Sequence, residues 1–344
     1  MQSSLFSPAF AVWNQRQVLQ QKRDRLQALF HAVNDPDSLT LSQWVHLYAA
    51  VLEFKPDLVL ELGRNVGNST CAFTEAANQI GECRVVSLCR STNWQESTQA
   101  RVSQIVPAEW FQPLDARVAD ILQVEAKALL GNSQRVLVLW DAHGFDVAEY
   151  MLGSLMPLLK DRQHIVLVHD ITDLRYHAGQ ESYGDKPLWR AGNDDVYSDH
   201  TVRVVLGHLS SAVEQAIALV DFTSRNHLPL HSADESFYSE LSQEQNNVLR
   251  DLLGDELFSR NAHWFWFSLN ETNESALIHF PKFTSPELDR HLNKPASSSH
   301  LNTDQLNAEV ALLKSTIAGM ESSKFWKIRL LWLKLKKLLG IHQT

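Results

Sequence analysis

The fold of this chain can be inferred from one segment, Leu58-Val59-Leu60-Glu61-Leu62-Gly63-Arg64-Asn65-Val66-Gly67-Asn68-Ser69-Thr70. Its Val/Leu run predicts a parallel strand that is buried on both faces. Gly63 and Gly67 let the backbone turn sharply after that strand and approach a ligand closely. Asn68 or Ser69 can cap the next helix, whose amide groups then face the turn. The segment therefore predicts the first strand, turn and helix of an α/β domain of the nucleotide-binding type.

The pattern continues through the middle of the chain. Apolar and helical segments alternate there at a spacing typical of βαβ units and a doubly wound, mainly parallel sheet. Strands are expected at Leu58–Leu62, Arg84–Leu88, Ala116–Val118, Arg135–Trp140 and His164–His169, with helices over 69–80, 121–130 and 146–159. A helix over Ser211–Phe222 and a late strand over His263–Leu269 follow.

The sequence predicts four parts. Residues 1–54 form an N-terminal helical brace, with amphipathic patterns over 10–33 and 41–54. Residues 55–285 form the α/β domain, with an irregular insertion at 172–200 that is typical of a functional loop. Residues 286–302, rich in Asn, Pro and Ser, form a linker, and residues 303–344 form a helical C-terminal tail.

The tail carries two signals. A four-three spacing relates Leu306, Val310, Leu313 and Ile317. This spacing predicts either a short coiled coil, through which the chain would form a homo-oligomer, or a docking helix. Segment 324–339 combines six Lys or Arg residues with Trp and Leu and has no acidic residue. This composition favours a helix that lies on an anionic membrane surface, with docking on the protein itself as the alternative.

The composition of the chain argues against several classes of protein. The 344 residues carry a formal net charge of −9, which argues against a general nucleic-acid binder. Three cysteines are too few for a disulfide framework or a zinc site and indicate a reducing compartment. The N-terminus lacks the pattern of a secretory signal, and no apolar run is long enough to span a membrane. A cytoplasmic protein is expected, placed at the inner face of the membrane if the tail binds lipid.

Polar residues follow the predicted strands at their carboxyl ends, where open α/β sheets bind ligands. The ends of the first, fourth and fifth strands carry Glu61 and Gly63, Asp141 and His143, and His169 and Asp170. Purely structural roles are the alternatives: Asp141 can cap a helix that starts near Asp146, and either histidine can bond a buried backbone group.

This combination resembles the class I S-adenosylmethionine-dependent methyltransferases, over about residues 55–175. It is most similar to bacterial small-molecule and sugar O-methyltransferases with the motif E-[IL]-G-x-x-x-G-x-S-T. The resemblance implies a Rossmann-like fold, S-adenosylmethionine as cofactor and transfer of its methyl group to a hydroxyl of a sugar or related small molecule. The residues that it places at the methyl donor are Glu61, Gly63, Gly67, Asn68, Ser69 and Asp120.

The resemblance also implies roles at the acceptor. Asp141 and Asp170 match the acids that bind Mg²⁺ or another divalent cation, an ion that prefers oxygen ligands. His143 or His169 is then expected to remove the proton of the acceptor hydroxyl.

The second strand departs from the family pattern. Cys89 stands where the family carries an acid that binds the donor ribose, and a thiol does not replace a carboxylate acceptor. Glu96 is a nearby acid that can take over this role. The alternative is a non-catalytic methyltransferase-like module that binds a glycan or a partner enzyme in a membrane-associated glycan-assembly complex. A hydroxylase, which would depend on iron, is a third and weaker reading.

Overall fold

The computed structural model describes residues 6–35, 39–169, 215–233, 240–258, 264–271 and 277–282. The chain divides into two compact units, Met1–Asp289 and Arg290–Thr344, and all described residues belong to the first. Asp170, the insertion 172–200, the linker 286–302 and the tail 303–344 lie outside the described residues.

A seven-stranded sheet forms the centre of the described structure. Its strands are β1 (Leu58–Leu62), β2 (Arg84–Cys89), β3 (Leu114–Val118), β4 (Arg135–Trp140), β5 (Gln163–Val168), β6 (His231–Ala233) and β7 (Trp264–Phe267). The order is β3-β2-β1-β4-β5-β7-β6. The first five strands in this order are parallel, whereas β7 runs antiparallel to both β5 and β6. The five parallel strands and the late strand were all predicted; β1 and β4 match the predicted bounds, and the ends of the others differ by at most two residues.

The parallel strands end together at one edge of the sheet. Leu62 of β1 pairs with Leu88 of β2 and with Trp140 of β4, which in turn pairs with Val168 of β5. The residues that follow these strands therefore meet at the carboxyl edge, as the sequence predicts.

Ten helices accompany the strands in the part of the chain that the structure describes. They are α1 (Pro8–Asn14), α2 (Arg16–Val33), α3 (Leu41–Phe54), α4 (Asn68–Ile80), α5 (Gln99–Val102), α6 (Ala126–Leu130), α7 (Phe145–Tyr150), α8 (Met156–Leu159), α9 (215–225) and α10 (Gln243–Leu257). Short 3₁₀ and π-helical segments connect several of them.

The helices cover both faces of the sheet. Helices α1 to α4 and α10 share one apolar core with Val59 and Leu137, whereas α6 to α9 share a second core with Leu58 and Leu60. Because successive strand residues point to opposite faces, this division follows from the period of two along β1. The predicted doubly wound α/β sheet with N-terminal helices is confirmed.

Three predicted helices are interrupted. The helix predicted over 10–33 consists of α1 and α2, which meet at Gln15. The helix predicted over 121–130 consists of a 3₁₀ turn and α6. A π-helical segment, Met151–Leu155, separates α7 from α8 shortly before Pro157, which has no backbone N–H to donate.

The N-terminal helices are part of the core. Every residue of α3 from Leu41 to Leu52 is buried, and a capping box formed by Thr40 and Gln43 fixes the start of this helix. No helix among the described residues is both long enough and apolar enough to cross a bilayer.

Candidate functional site

The turn after β1 requires glycine at two positions. Gly63 and Gly67 have φ values of +102° and +96°, which side chains rarely tolerate. A Cβ atom at Gly63 would lie 2.3 Å from the carbonyl oxygen of Asp141, and one at Gly67 would lie 2.2 Å from the ring of Trp94. The turn therefore brings the ends of β1 and β4 into direct contact.

Glu61 lies beneath this turn. Its side chain is fully buried and accepts hydrogen bonds from the hydroxyls of Thr70 (2.6 Å), Ser69 and Ser87. Burial raises the pKa of the Glu61 carboxyl, and the three hydroxyls and the nearby Arg64 partly oppose that shift. Glu61 therefore stabilises the turn from below and does not line the cavity described next.

The side chains of Asn68 and Ser69 make hydrogen bonds near the turn and do not cap the helix that follows it. The N-cap of α4 is Gly67, so the expectation that Asn68 or Ser69 caps this helix is wrong. The reason is that their side chains are engaged elsewhere: Asn68 accepts from the indole N–H of Trp44 and donates to the carbonyl of Asp35 (2.9 Å). Asn68 thereby joins the turn to α3.

A cavity of about 570 Å³ opens at the carboxyl edge of the sheet. Of the residues singled out from the sequence, it brings together Gly63, Cys89, Asp120, Asp141 and His143. The other lining residues are Asn65, Arg90, Ile121, Leu122, Ala142, Gly144, Phe145, Asp146 and Val147. Its size and mixed lining are typical of a small-molecule site.

Asp120 and Cys89 form the wall of the cavity beside β2. Asp120 pairs with the exposed Arg90 and accepts a hydrogen bond from the amide of Leu122 at 3.1 Å. Glu96 is exposed and does not line the cavity, so it does not replace the missing acid at Cys89 in this arrangement.

His143 lies in the opposite wall. Its Nδ1 is 2.7 Å from the side-chain oxygen of Gln215 in α9. Because that oxygen only accepts hydrogen bonds, Nδ1 carries the proton and Nε2 is left as the basic nitrogen of the ring. Gln215 thus selects the tautomer of His143 that can take up a proton.

Asp141 and His169 form a second pair. His169 is buried, its Nδ1 lies 3.0 Å from Oδ1 of Asp141, and its ring packs on Trp264 at 4.6 Å between centroids. Gln43 directs its amide nitrogen at Nε2 of His169 (3.4 Å), because its oxygen accepts from the backbone amide of Thr40 (2.8 Å). His169 therefore donates through Nδ1 to Asp141 and orients that carboxylate.

Of the two predicted metal ligands, one lies among the described residues. Asp141 lies at the cavity, and Asp170 lies outside the described residues. Within the described ranges, no group of three or more His, Cys, Asp or Glu side chains is placed to hold a metal ion.

Comparison with known proteins gives structural matches only. No protein-family model matches the chain, and no curated protein matches it. The SAH-bound Podospora anserina methyltransferase PaMTH1 is 15% identical, with 55% of this chain and 72% of that chain covered and a TM-score of 0.39. A Bacillus cereus O-methyltransferase in complex with SAH is 12% identical, with 72% and 89% covered and a TM-score of 0.39. The Streptomyces achromogenes O-methyltransferase TomG, in complex with SAM, is 17% identical, with 67% and 91% covered and a TM-score of 0.38.

The strand order of the sheet is direct evidence of the fold. Five parallel strands in the order β3-β2-β1-β4-β5 are followed by the reversed strand β7. The described residues form a Rossmann-like, doubly wound sheet, as the resemblance to the class I methyltransferases implies. In such a fold, ligands bind beyond the carboxyl ends of the strands, where the cavity of about 570 Å³ lies.

Three residues of this methyltransferase-fold site were not predicted: Arg64, Gln43 and Gln215. Gln43 and Gln215 contact His169 and His143 across 126 and 72 residues of sequence, a separation over which no local pattern operates. Arg64 is buried and donates to the carbonyl oxygens of Ser87 (2.8 Å) and Arg117 (3.1 Å), so it ties β2 to β3 beside Cys89.

Proposed function

We propose that this protein is an S-adenosylmethionine-dependent methyltransferase that methylates a hydroxyl group of a small molecule. The observation that carries the proposal is the cavity at the carboxyl edge, which has the glycine turn at Gly63 on one side and His143 on the other. A sugar or related metabolite is the proposed acceptor. That part rests on the sequence, because the insertion 172–200 contains Tyr and Trp residues suited to stacking on sugar rings.

The size and the backbone of the cavity support a donor site. The bare glycine turn allows close approach of a ligand, and Asp120, which lines the cavity, is the residue that the family pattern would place near the adenine. When bound, the sulfonium donor supplies a methyl group that is already activated, so the protein has mainly to align the acceptor oxygen with it.

His143 is the proposed proton acceptor. Its Nε2 is basic because Gln215 holds the proton on Nδ1. As the acceptor oxygen bonds to the methyl carbon and the carbon–sulfur bond breaks, the hydroxyl proton passes to His143. His169 is less suited to this role, because its two nitrogens face Asp141 and Gln43.

Asp141 is proposed to accept a hydrogen bond from the substrate. Asp120 and Asp146 also line the cavity, but within the described residues no group of three or more such side chains is placed to hold a metal ion, so the role proposed for Asp141 is a direct contact with the substrate.

A non-catalytic module is the second candidate function. Cys89 favours it, because a thiol in place of the ribose acid weakens the expected hold on the donor. In that case the basic tail would bring a glycan-binding or enzyme-binding module to an anionic membrane surface.

Calorimetric titration with S-adenosylhomocysteine separates the two functions. We expect saturable binding by the full chain, with about tenfold tighter binding by Cys89→Asp, because a carboxylate accepts charge-assisted hydrogen bonds from ribose. Cys89→Trp fills the same wall and should abolish binding while keeping the melting temperature. Absence of binding by all three proteins would favour the non-catalytic module.

His143 gives a second prediction, made for any acceptor that an activity screen identifies. His143→Ala should lower kcat by about 10²- to 10⁴-fold, because the proton acceptor is lost. Its affinity for S-adenosylhomocysteine should remain within about twofold of the wild-type value, since the side chain acts on the acceptor. Gln215→Leu is the matched variant that keeps His143 and should give a smaller loss. Full turnover by His143→Ala would remove this residue from the mechanism.

A further inference from the structure

A second and larger cavity lies away from the proposed donor site. Its volume is about 760 Å³, and it is bounded by α1, the end of α3 and the first residues of β4 and β5. Arg135 and Gln163, which begin these strands, pair in register and line it. It therefore sits at the amino edge of the sheet, opposite to the glycine turn.

Aromatic rings form much of the wall of this amino-edge cavity. The rings belong to Phe6, Phe10, Phe54, Trp266 and Phe267. Phe6 packs edge-on against Phe54, with 6.4 Å between centroids, and Phe10 is 43% exposed. A wall of this kind binds the apolar or aromatic body of a small ligand.

Arg135 contributes a guanidinium group to the same cavity. The group lies over the ring of Phe54 at 4.6 Å from the centroid. Its Nε is buried and has no hydrogen-bond partner, and within the described ranges no carboxylate pairs with it. A buried donor without a partner is unusual in a folded protein and calls for an explanation.

The carboxylates that the structure describes in this region are already engaged. Glu53 accepts from the side-chain amides of Asn14 and Gln15, each at 2.8 Å. Glu271 is 2.7 Å from Nε2 of His231 and raises the pKa of that imidazole, which favours a charged pair.

Asp57 is engaged as well. Its two oxygens accept from the backbone amides of Gln134 (2.7 Å) and Arg135 (3.1 Å). The backbone of Arg135 thus has an acidic partner, whereas its guanidinium has none among the residues that the structure describes.

We propose that the amino-edge cavity binds a small carboxylate with an aromatic or apolar body. The carboxylate accepts from the guanidinium of Arg135, whose fork suits two parallel hydrogen bonds, and the body packs against Phe10, Phe54 and Trp266. The site is independent of the donor cavity, since the two share no lining residue.

The test is calorimetric titration of the full chain with phenylacetate and with its neutral analogue phenylacetamide. We expect saturable binding of phenylacetate, with about tenfold weaker binding of the amide, because the charged acceptor gives the stronger hydrogen bonds to arginine. Arg135→Met should weaken phenylacetate binding at least about tenfold. Arg84→Met is the matched control, because Arg84 begins β2 at the same edge, is exposed and does not line the cavity. It should bind like the wild type.

A second pair of variants covers the case in which Arg135→Met does not fold. Phe10→Glu places a negative charge at an exposed position of the wall and should weaken phenylacetate binding, whereas Phe10→Gln should weaken it less. Equal binding of phenylacetate and phenylacetamide, or no binding of either, would overturn the proposal. Binding that Cys89→Trp abolishes would also overturn it, because the probe would then occupy the donor cavity. The proposed methyltransferase function is tested separately by S-adenosylhomocysteine, whose affinity should be the same in Arg135→Met.

Discussion

Replacement of Gly63 by alanine is expected to lower the free energy of unfolding by about 4 kcal/mol. Two costs combine. The backbone is held at a φ of +102°, and the new Cβ would lie 2.3 Å from the carbonyl oxygen of Asp141. That oxygen belongs to the backbone at the end of β4, so only movement of the strand ends relieves the overlap. Urea unfolding followed by circular dichroism measures the change, and the melting temperature should fall by about 10 °C.

Gly81 provides the matched control for this variant. Its φ is +85°, but a Cβ there meets no atom within 4 Å. Gly81→Ala should therefore lower the free energy of unfolding only by the cost of the left-handed backbone conformation, about 1 to 2 kcal/mol, because no steric overlap is added. If Gly63→Ala lowers the free energy of unfolding no more than Gly81→Ala does, the turn after β1 does not lie as close to Asp141 as described. A larger loss that is accompanied by loss of S-adenosylhomocysteine binding would link the same contact to the proposed donor cavity.

The two glycines illustrate what the sequence can predict. Gly63 and Gly67 follow a buried Val/Leu run, and this local pattern was sufficient to predict the strand, the turn and the helix. The identity of the atoms that exclude a side chain was not predictable. The ring of Trp94 and the carbonyl of Asp141 come from segments about 30 and 80 residues away, and only the folded sheet places them against the turn.

The same distinction applies to the polar residues of the site. Asp141 and His143 were predicted because they follow a strand, and strand ends meet at one edge of a parallel sheet. Glu61, Asn68 and Ser69 were expected at the cofactor on the basis of the motif. In the structure Glu61 and Ser69 share a buried hydrogen bond, and Asn68 bonds with Trp44 of α3 and with the carbonyl of Asp35.

Gln43 and Gln215 show the limit of local reasoning. Each is one of many glutamines in helical segments, and its sequence context carries no sign of a contact with a histidine. Their importance follows from the tertiary structure, because each amide fixes the tautomer of a histidine at the end of β4 or β5. The N-terminal helices are thus tied to the proposed site by Gln43 and by the bond between Trp44 and Asn68.

Glu61→Leu is expected to destabilise the fold by about 4 kcal/mol, because it removes the acceptor from a buried hydrogen-bond network. The hydroxyls of Ser69, Thr70 and Ser87 lose their acceptor. Glu61→Gln is the matched control: its oxygen still accepts a hydrogen bond, so we expect a loss smaller by about 2 kcal/mol. Similar losses for the two variants would show that an amide oxygen does not replace the carboxyl group as the acceptor for these hydroxyls.

The pH dependence of stability identifies the protonation state of Glu61. Burial raises the pKa of this carboxyl in the folded state above its usual value of 4.5. The folded protein therefore keeps the proton to a higher pH than the unfolded chain does, and the stability linked to it falls as the pH rises through the folded pKa. Glu61→Gln cannot titrate, so the wild-type advantage over this variant should be largest at and below the usual pKa of 4.5 and should shrink as the pH rises above that value. Urea unfolding of both proteins across that range measures the difference. An advantage that grows with pH would mean that the hydroxyls and Arg64 outweigh burial, and Glu61 would then be a stabilising anion in the folded state.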